Sequence, residues 1–379
     1  MEDANLLQYS KDNLESLLSM LQEFVELESP SHEDKAVSDR CGQYLFEHFG
    51  RLGFSMEKIP QDTCGDHLYG ELGKGAKNVL LVGHYDTVFP VGTLNTMPFR
   101  RRDKENKIYG PGVLDMKGGI IMAYFAVKAL LHLGLFPQHT VGVFFNSDEE
   151  SGSFSSSSLI VTKARQYRHV LVMEPGGTHL NYVKTSRSGR GTYEVIAKGI
   201  AAHSGTNPDK AISPIEEVSR QILRIKEWND GSEGLSLTPT WIHGGIKGTC
   251  MVPEEASFSM DVRAISAELC AEAERRIRTM EPLLPGVKLR VEGGIDKPVM
   301  RADSTLFETA RAFGKAFGLD LQGIHVGGGS DGNFTAAAGA STLDGLGVTG
   351  DLLHNIGEFA YIDHIPPRTA LVAKLLLRL

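Results

Sequence analysis

The chain has 379 residues, a net charge of −8, 41% apolar residues and 23% charged residues. This length exceeds what one hydrophobic core usually supports, so we expect two domains. An acidic chain without a long basic run is not expected to bind nucleic acid through phosphates. The apolar stretch from Ile120 to Phe136 is interrupted by charge and is too short to span a membrane.

The cysteines and the N-terminal segment both favour a cytoplasmic location. None of the four cysteines forms a C-x-x-C pair, which is typical of free thiols in a reducing compartment. The segment MEDANLLQYSKDNLESLL carries acids and no continuous apolar stretch, so a signal peptide is not expected.

The first part of the chain alternates helices with apolar strands. Apolar spacing predicts helices at 14–25, 37–49, 119–133 and 155–165, and apolar runs predict strands at 78–83, 141–146 and 169–173. Continuous apolar strands between helices predict an α/β fold, with a mixed, largely parallel sheet covered by helices on both faces.

The pattern changes near residue 189. Alternating strands and amphipathic helices follow in the order strand–helix–strand–strand–helix–strand, at 191–199, 215–225, 236–243, 256–263, 267–280 and 287–292. This order predicts an inserted α+β sandwich. Because helices return at 304–317 and 371–377, we expect one discontinuous domain at 1–188 and 295–379, interrupted by 189–294.

The first polar motif ends the strand at 78–83. In GHYDTVFP, residues 83–90, His84 and Asp86 are two residues apart and therefore point to the same side of an extended segment. A carboxylate beside an imidazole suits a metal ligand with a supporting partner, a catalytic base with its orienting group, or a structural hydrogen bond. The motif alone leaves these three readings open.

More acids follow the neighbouring strands. Glu149 and Glu150 come after the strand at 141–146, and Glu174 follows the strand at 169–173. Ligands of open parallel sheets bind beyond the carboxyl ends of the strands, so these side chains are expected at one edge. Asp115 in the glycine-rich YGPGVLDMKGG and His354 in GVTGDLLHN are further candidates.

Two histidines and three carboxylates without thiols suit zinc or a similar divalent ion. They are too many for one tetrahedral ion and fit two ions that share a bridging carboxylate. Adjacent Glu149 and Glu150 repel each other unless a cation separates them or one is protonated. If one of them binds a metal, the other is free to take a proton from water.

Five motifs resemble one family, the di-zinc aminoacylase/carboxypeptidase superfamily of metallopeptidases. They are GHYDTVFPVGT, YGPGVLDMKGG, NSDEESGS, VMEPG and LLHNIGE, and the block 83–119 is most similar to glutamate carboxypeptidases of the carboxypeptidase G type. The resemblance implies that Asp115 bridges two zinc ions, for which Co²⁺ or Mn²⁺ can substitute. It pairs His84 with Glu174 at one ion and Glu150 with His354 at the other.

The same resemblance implies roles beyond the metal ligands. Asp86 would orient His84, Glu149 would be the general base, and a cis peptide would follow Asp115. The inserted domain would act as a lid and form a homodimer, in which His203 of AAHSG reaches the partner's active site. Without the resemblance, His203 would be read as a surface histidine at a strand end.

Candidates for binding the substrate carboxylate are Arg263 and the backbone N–H groups of Gly328 and Gly329. Arg263 can equally pair with Asp261, since both belong to the strand ending in DVR. Two departures from the family pattern leave the substrate side chain open. Cys250 stands where relatives have asparagine, and a lysine at 297 stands where the glutamate carboxypeptidases carry arginine.

The resemblance therefore implies metal-dependent amide hydrolysis that releases a C-terminal amino acid, glutamate among the candidates, from a small peptide or N-acyl amino acid. An N-acyl amino acid deacylase or di/tripeptidase on the same site is the alternative. A non-catalytic homologue would have lost metal ligands, and a two-metal phosphoesterase would need a cluster of Arg and Lys near the strand ends, which the motifs lack.

Overall fold

The computed structural model describes residues 1–31, 34–229, 234–248 and 250–379. The chain forms two compact units. Unit 1 contains Met1–Ser186, Met300–Val326 and Ser330–Leu379, and unit 2 contains Arg187–Val299 and Gly327–Gly329. The predicted insert, 189–294, differs from unit 2 by a few residues at each end. Gly328 and Gly329 belong to unit 2, although the sequence placed them in the catalytic part, because Arg187 and Arg263 of unit 2 bind carbonyls of this segment.

The described residues contain the following helices and strands, numbered along the chain. The helices are α1 (Glu2–Asp12), α2 (Leu14–Val25), α3 (Lys35–Arg51), α4 (Lys117–His132), α5 (Ser157–Ala164), α6 (Pro214–Trp228), α7 (Ala267–Arg278), α8 (Ser304–Gly314), α9 (Asp331–Ala337) and α10 (Ile365–Arg378). The strands are β1 (Ser55–Ile59), β2 (His67–Leu72), β3 (Lys77–His84), β4 (Arg100–Arg102), β5 (Lys107–Tyr109), β6 (Thr140–Asn146), β7 (His169–Val172), β8 (Tyr182–Arg187), β9 (Gly189–Lys198), β10 (Ala202–His203), β11 (Leu235–Gly244), β12 (Met251–Val252), β13 (Glu255–Ala264), β14 (Lys288–Lys297), β15 (Gln322–Val326), β16 (Ser341–Leu343), β17 (Gly350–Asp351) and β18 (Phe359–Tyr361).

The main sheet of unit 1 has six strands in the order β1-β2-β6-β3-β7-β16. The pairs β6–β3, β3–β7 and β7–β16 are parallel, whereas β1–β2 and β2–β6 are antiparallel. The predicted mixed, largely parallel sheet is thus confirmed. Its central neighbours β6, β3 and β7 are the three strands that the sequence identified from their apolar runs.

Helices cover both faces of this sheet, as predicted. Alternate residues of β3 point to opposite layers. Val79 and Leu81 join the core formed with α1, α2, α4 and α10, whereas Leu80 and Val82 join the second core with α5 and Phe334 of α9. A strand buried on both faces explains why β3 reads as a continuous apolar run.

Unit 2 contains a four-stranded antiparallel sheet in the order β11-β13-β9-β14. Helices α6 and α7 bury Val218, Ile225 and Ile277 against residues of β9 and β13 such as Val195 and Phe258. This is the predicted α+β sandwich, with the predicted element order. None of the helices in the described part of either unit is long and apolar enough to cross a membrane.

Candidate metal centre

The candidate site lies at the carboxyl ends of three adjacent strands in unit 1. His84 is the last residue of β3, Glu149 and Glu150 follow β6, and Glu174 follows β7. Because β6, β3 and β7 are parallel neighbours, their ends meet at one edge of the sheet. The four side chains are almost completely buried there.

Asp115 connects two groups of side chains. Its Oδ1 lies 3.2 Å from His84 Nε2, and its Oδ2 lies 3.1 Å from His354 Nε2. His84 Nε2 is also 3.4 Å from Glu174 Oε1, and His354 Nε2 is 3.2 Å from Glu150 Oε1. Each group of three places its ligand-type atoms within 4.8 Å of one another, and Asp115 belongs to both groups.

The backbone around Asp115 is fixed by a buried glutamate. The Asp115–Met116 peptide is cis, as the family resemblance implies. Glu358 Oε1 accepts hydrogen bonds from the N–H groups of Leu114, at 2.8 Å, and of Asp115, at 3.2 Å. The motif LLHNIGE did not by itself predict a role for this glutamate. The available signal was an acid four residues after His354, within the same motif.

Asp86 supports the two glutamates as well as the first histidine. Its carboxylate oxygens accept the N–H groups of Glu149, at 3.3 Å, and Glu150, at 3.0 Å. His84 Nδ1 lies 3.0 Å from the Asp86 carbonyl oxygen and 3.4 Å from Asp86 Oδ1. The residue therefore contacts His84 mainly through its backbone, while its side chain holds the turn after β6.

The pKa values of three side chains at the site are shifted from their usual values. Burial, together with the nearby Asp115 carboxylate, raises the pKa of Glu150 to about 8. The hydrogen bond to Asp115, together with the nearby Glu150 carboxylate, raises the pKa of His354 to about 10. Burial would raise the pKa of Asp115, but hydrogen bonds from His354 and His84 lower it below its usual value.

These contacts fit divalent cations. One proton on His354 Nε2 faces both Asp115 and Glu150, and the hydrogen bond goes to Asp115. Glu150 Oε1 is buried without a hydrogen bond from the described residues, 3.2 Å from the same nitrogen. A cation satisfies both carboxylates and the neutral imidazole at once, and imidazole with carboxylate is a typical donor set for zinc in catalytic sites.

A third cluster was not predicted from the sequence. Cys64, His67 and Asp148 are buried, with potential ligand atoms within 4.8 Å of one another. Ser155 Oγ already lies among them, 2.7 Å from Asp148 Oδ2, 2.9 Å from His67 Nε2 and 3.4 Å from Cys64 Sγ. Asp148 also accepts the N–H groups of Ser155 and Ser156. We interpret the cluster as a hydrogen-bond network that closes the turn carrying the two glutamates.

The remaining candidates lie in unit 2. His203 in β10 is exposed, and its Nδ1 accepts the N–H groups of Gly205 and Thr206, both at 3.1 Å. Arg263 Nε binds Asp261 Oδ2 at 2.7 Å, so the structural ion pair that the sequence left open is present.

Other contacts in unit 2 involve the glycine segment. Arg263 Nη1 donates to the Gly327 carbonyl oxygen at 3.0 Å. The carbonyl oxygens of Gly328 and Gly329 accept hydrogen bonds from Arg187 Nη1 at 2.9 and 3.1 Å. Both arginines therefore bind the backbone of this segment.

A site at one edge of a parallel sheet that combines two imidazoles and three carboxylates is typical of metal-dependent hydrolases. The chain belongs to peptidase family M20/M25/M40, whose family model matches residues 80–378. The metallopeptidase class predicted from the motifs is thereby confirmed, and with it the metal dependence of the family.

Two similar proteins agree with this assignment, and one solved structure shares the fold. Carboxypeptidase G2 of Pseudomonas sp. (strain RS-16) is 29% identical over 388 residues, covering 100% of this chain and 92% of that protein. Succinyl-diaminopimelate desuccinylase of Herminiimonas arsenicoxydans is 26% identical over 370 residues, covering 92% and 95%. Aminopeptidase PepT of Bacillus cereus ATCC 10987 matches with a TM-score of 0.74 and 20% identity, covering 96% of this chain and 98% of that one, which supports the fold.

Proposed function

We propose that the protein hydrolyses an amide bond and releases a C-terminal amino acid, with glutamate as one candidate, from a small peptide or an N-acyl amino acid. The observation that carries the proposal is the position of Asp115, which contacts both His84 and His354. The similarity to carboxypeptidase G2 supports release of the C-terminal residue. The similarity to a desuccinylase favours the alternative, an N-acyl amino acid deacylase.

Two Zn²⁺ ions are the proposed cofactors, with Co²⁺ or Mn²⁺ as substitutes. His84 and Glu174 would hold one ion, Glu150 and His354 the other, and Asp115 both. When bound, the cations acidify the attacking water and polarise the amide carbonyl.

Glu149 is the proposed general base. It lies on the turn directly after β6, beside Glu150, and is buried. Its carboxylate takes a proton from the attacking water and delivers it to the nitrogen of the leaving amine. The hydrogen bond from the Glu149 N–H to Asp86 Oδ1 fixes the backbone of Glu149 and thereby positions its carboxylate.

The test combines metal analysis with a panel of amide substrates, with and without chelator. The Glu149→Gln variant should retain two zinc ions per chain and lose turnover by about 100- to 10,000-fold, which is the factor that positioned acid–base catalysis supplies. Glu57→Gln, at an exposed position of β1, is the matched control. Near-normal turnover of the Glu149→Gln variant would remove Glu149 from this role.

Unit 2 is the proposed dimerisation domain. Strand β11 is an edge of its sheet, and Trp241 and Ile242 on this strand are 50% and 55% exposed. Ile246 just after the strand is 79% exposed, and Leu223 on α6 is 64% exposed. An apolar strand edge pairs readily with a second copy. Light scattering should give a dimer for the wild type and a monomer for Trp241→Asp, with Leu131→Asp in unit 1 as control.

Within the proposed dimer, the partner subunit's His203 would stabilise the oxyanion of the reacting amide. Arg263 and the backbone of Gly328 and Gly329 are the proposed contacts of the substrate carboxylate. Mixing inactive His203→Ala and Glu149→Gln subunits should restore up to a quarter of wild-type activity if His203 acts across the dimer, whereas no recovery would place it within its own subunit.

The four thiols support a cytoplasmic location.

A further inference from the structure

Lys184 places a buried positive charge beside the candidate metal centre of unit 1. Its Nζ lies 3.6 Å from Oε2 of Glu174, while Oε1 of the same carboxylate lies 3.4 Å from His84 Nε2. The side chains of Lys184 and Glu174 are 11% and 8% exposed. Lysine is seldom buried to this extent without a charged partner. The lysine and the histidine therefore contact different oxygens of one buried carboxylate.

The fold fixes the position of this lysine. Lys184 belongs to β8, and its N–H donates to the Asp344 carbonyl oxygen at 2.9 Å, while the Asp344 N–H donates to the Lys184 carbonyl oxygen at 3.2 Å. Gly345 has a φ of 71°, and a Cβ at this position would lie 2.9 Å from Lys184 Cγ. The aliphatic part of the lysine therefore passes through space that only a glycine at position 345 leaves open.

The positive charge of Lys184 opposes the binding of a cation at the neighbouring site. Glu174 forms one of the candidate ligand groups together with His84 and Asp115. An ammonium group beside its second oxygen reduces the negative charge that this ligand offers to a metal ion, and like charges repel more strongly in a buried site than in water. A weaker carboxylate ligand leaves more positive charge on the ion and so favours polarisation of the amide carbonyl.

We propose that Lys184 is a positioning residue for the hydrolysis, which acts through Glu174 to weaken zinc binding at the His84 site and thereby to raise the turnover. The inference rests on the proposed function and adds a residue that lies outside all five sequence motifs. It differs from a purely structural ion pair in the sign of its effect. Loss of a structural partner would free Glu174 to move and would weaken zinc binding, whereas loss of an opposing charge strengthens it.

The experiment compares Lys184→Met, which keeps the apolar part of the side chain and removes the charge, with Lys184→Arg, which keeps the charge. Zn²⁺ is titrated into the chelator-treated full chain in competition with a chelating dye, in a His354→Ala background that leaves only the site of His84 and Glu174 complete. Lys184→Met should bind zinc about 10–100-fold more tightly, the range in which partners of metal ligands act, and Lys184→Arg should bind it as the parent does. With His354 present and both sites loaded, Lys184→Met should lower kcat by about 10-fold or more and leave KM nearly unchanged. Lys104→Met, at an exposed position of unit 1, is the control.

The outcomes separate this inference from the proposed function. If the wild type hydrolyses none of the amide substrates, the proposed function fails, whereas the zinc titration still tests the effect of Lys184. Zinc binding that is weaker or unchanged in Lys184→Met overturns the inference, and so does equal tightening in Lys184→Arg. Tighter binding without a loss of kcat overturns the effect on turnover. If Lys184→Met does not fold, Lys184→Gln provides the neutral side chain for the same titration.

Discussion

Once the metal is removed, the stability of unit 1 should fall as the pH rises. The folded protein raises the pKa of Glu150 from 4.5 to about 8, so the protonated carboxyl stabilises the fold below pH 4.5 and this contribution is lost as the pH rises through 8. The pKa of His354 rises from 6.5 to about 10, so its contribution is lost between these values. The lowered pKa of Asp115 acts only below its usual value of 3.8. Chelator-treated protein should therefore lose stability between pH 5 and 9.

The pH dependence of metal affinity follows from the number of protons that a cation must displace. At pH 6 to 7.5, both Glu150, with its pKa of about 8, and His354, with its pKa of about 10, hold a proton that blocks binding. Each displaced proton strengthens binding about tenfold per pH unit, so this site should gain about 100-fold per unit. The pKa of His84 is also raised, through its contacts with Asp115 and Asp86, although burial opposes the shift, so the other site should release one further proton.

The assay is calorimetric titration of Zn²⁺ into chelator-treated, dialysed protein at pH 6.5, in buffers of different ionisation enthalpy. About three protons should leave when two cations bind. The difference in Tm between the metal-loaded and metal-free protein should widen from pH 6 to pH 8. Glu150→Gln should release about one proton fewer. A proton count near zero, or an equal count for wild type and the variant, would refute the assignment of these side chains as ligands.

Three substitutions test the supporting contacts. Arg368→Met should lower the free energy of unfolding of unit 1 by about 4 kcal/mol. This buried guanidinium donates to four backbone carbonyls, and each unpaired carbonyl costs at least about 1 kcal/mol. Amide hydrogen exchange of residues 343–350 measures the loss, and unchanged protection in the variant would contradict it. Asp86→Asn should reduce kcat or zinc affinity by about 10–100-fold, since one of the two oxygens that hold Glu149 and Glu150 becomes a donor; unchanged steady-state rates and zinc content would argue against that role. Glu217→Ala should destabilise unit 2 by about 2–3 kcal/mol, because its buried carboxylate accepts the N–H groups of Leu283 and Leu284. Tryptophan fluorescence in urea reports on this unit, and a midpoint equal to that of wild type would count against the estimate.

The sequence predicted the sheet well because its central strands are buried on both faces. NVLLVG and VGVFFN leave no polar residue inside the strand, so the bounds predicted for both strands agree with the structure to within one residue at each end. The acids that follow these strands must then lie at one edge of a parallel sheet. The structure brings His84 and Glu174 to 3.4 Å at this edge, while their role as ligands stays a prediction.

Other features could not be predicted because they depend on contacts between distant loops. Strands β4 and β5 are three residues each, three arginines in β4 and Lys-Ile-Tyr in β5, which is too short to show an apolar period. The hydrogen bonds of Glu358 to Leu114 and Asp115 join positions more than 240 residues apart. For Arg263, the sequence left two partners open, and only the fold places Asp261 at 2.7 Å.

The same long-range contacts mean that the site and the fold of unit 1 depend on each other. Asp115 is held by His84 at the end of β3, by His354 in a loop near the C-terminus and by Glu358 just before β18. These positions are far apart in the chain, so the unfolded protein cannot offer this set of side chains to a cation. Any cation bound there selects the folded unit, and its binding free energy adds to the stability of that unit. Loss of a supporting contact such as that of Glu358 should therefore weaken metal binding and unfold unit 1 at lower temperature together, even though Glu358 contacts only the backbone of the bridging residue.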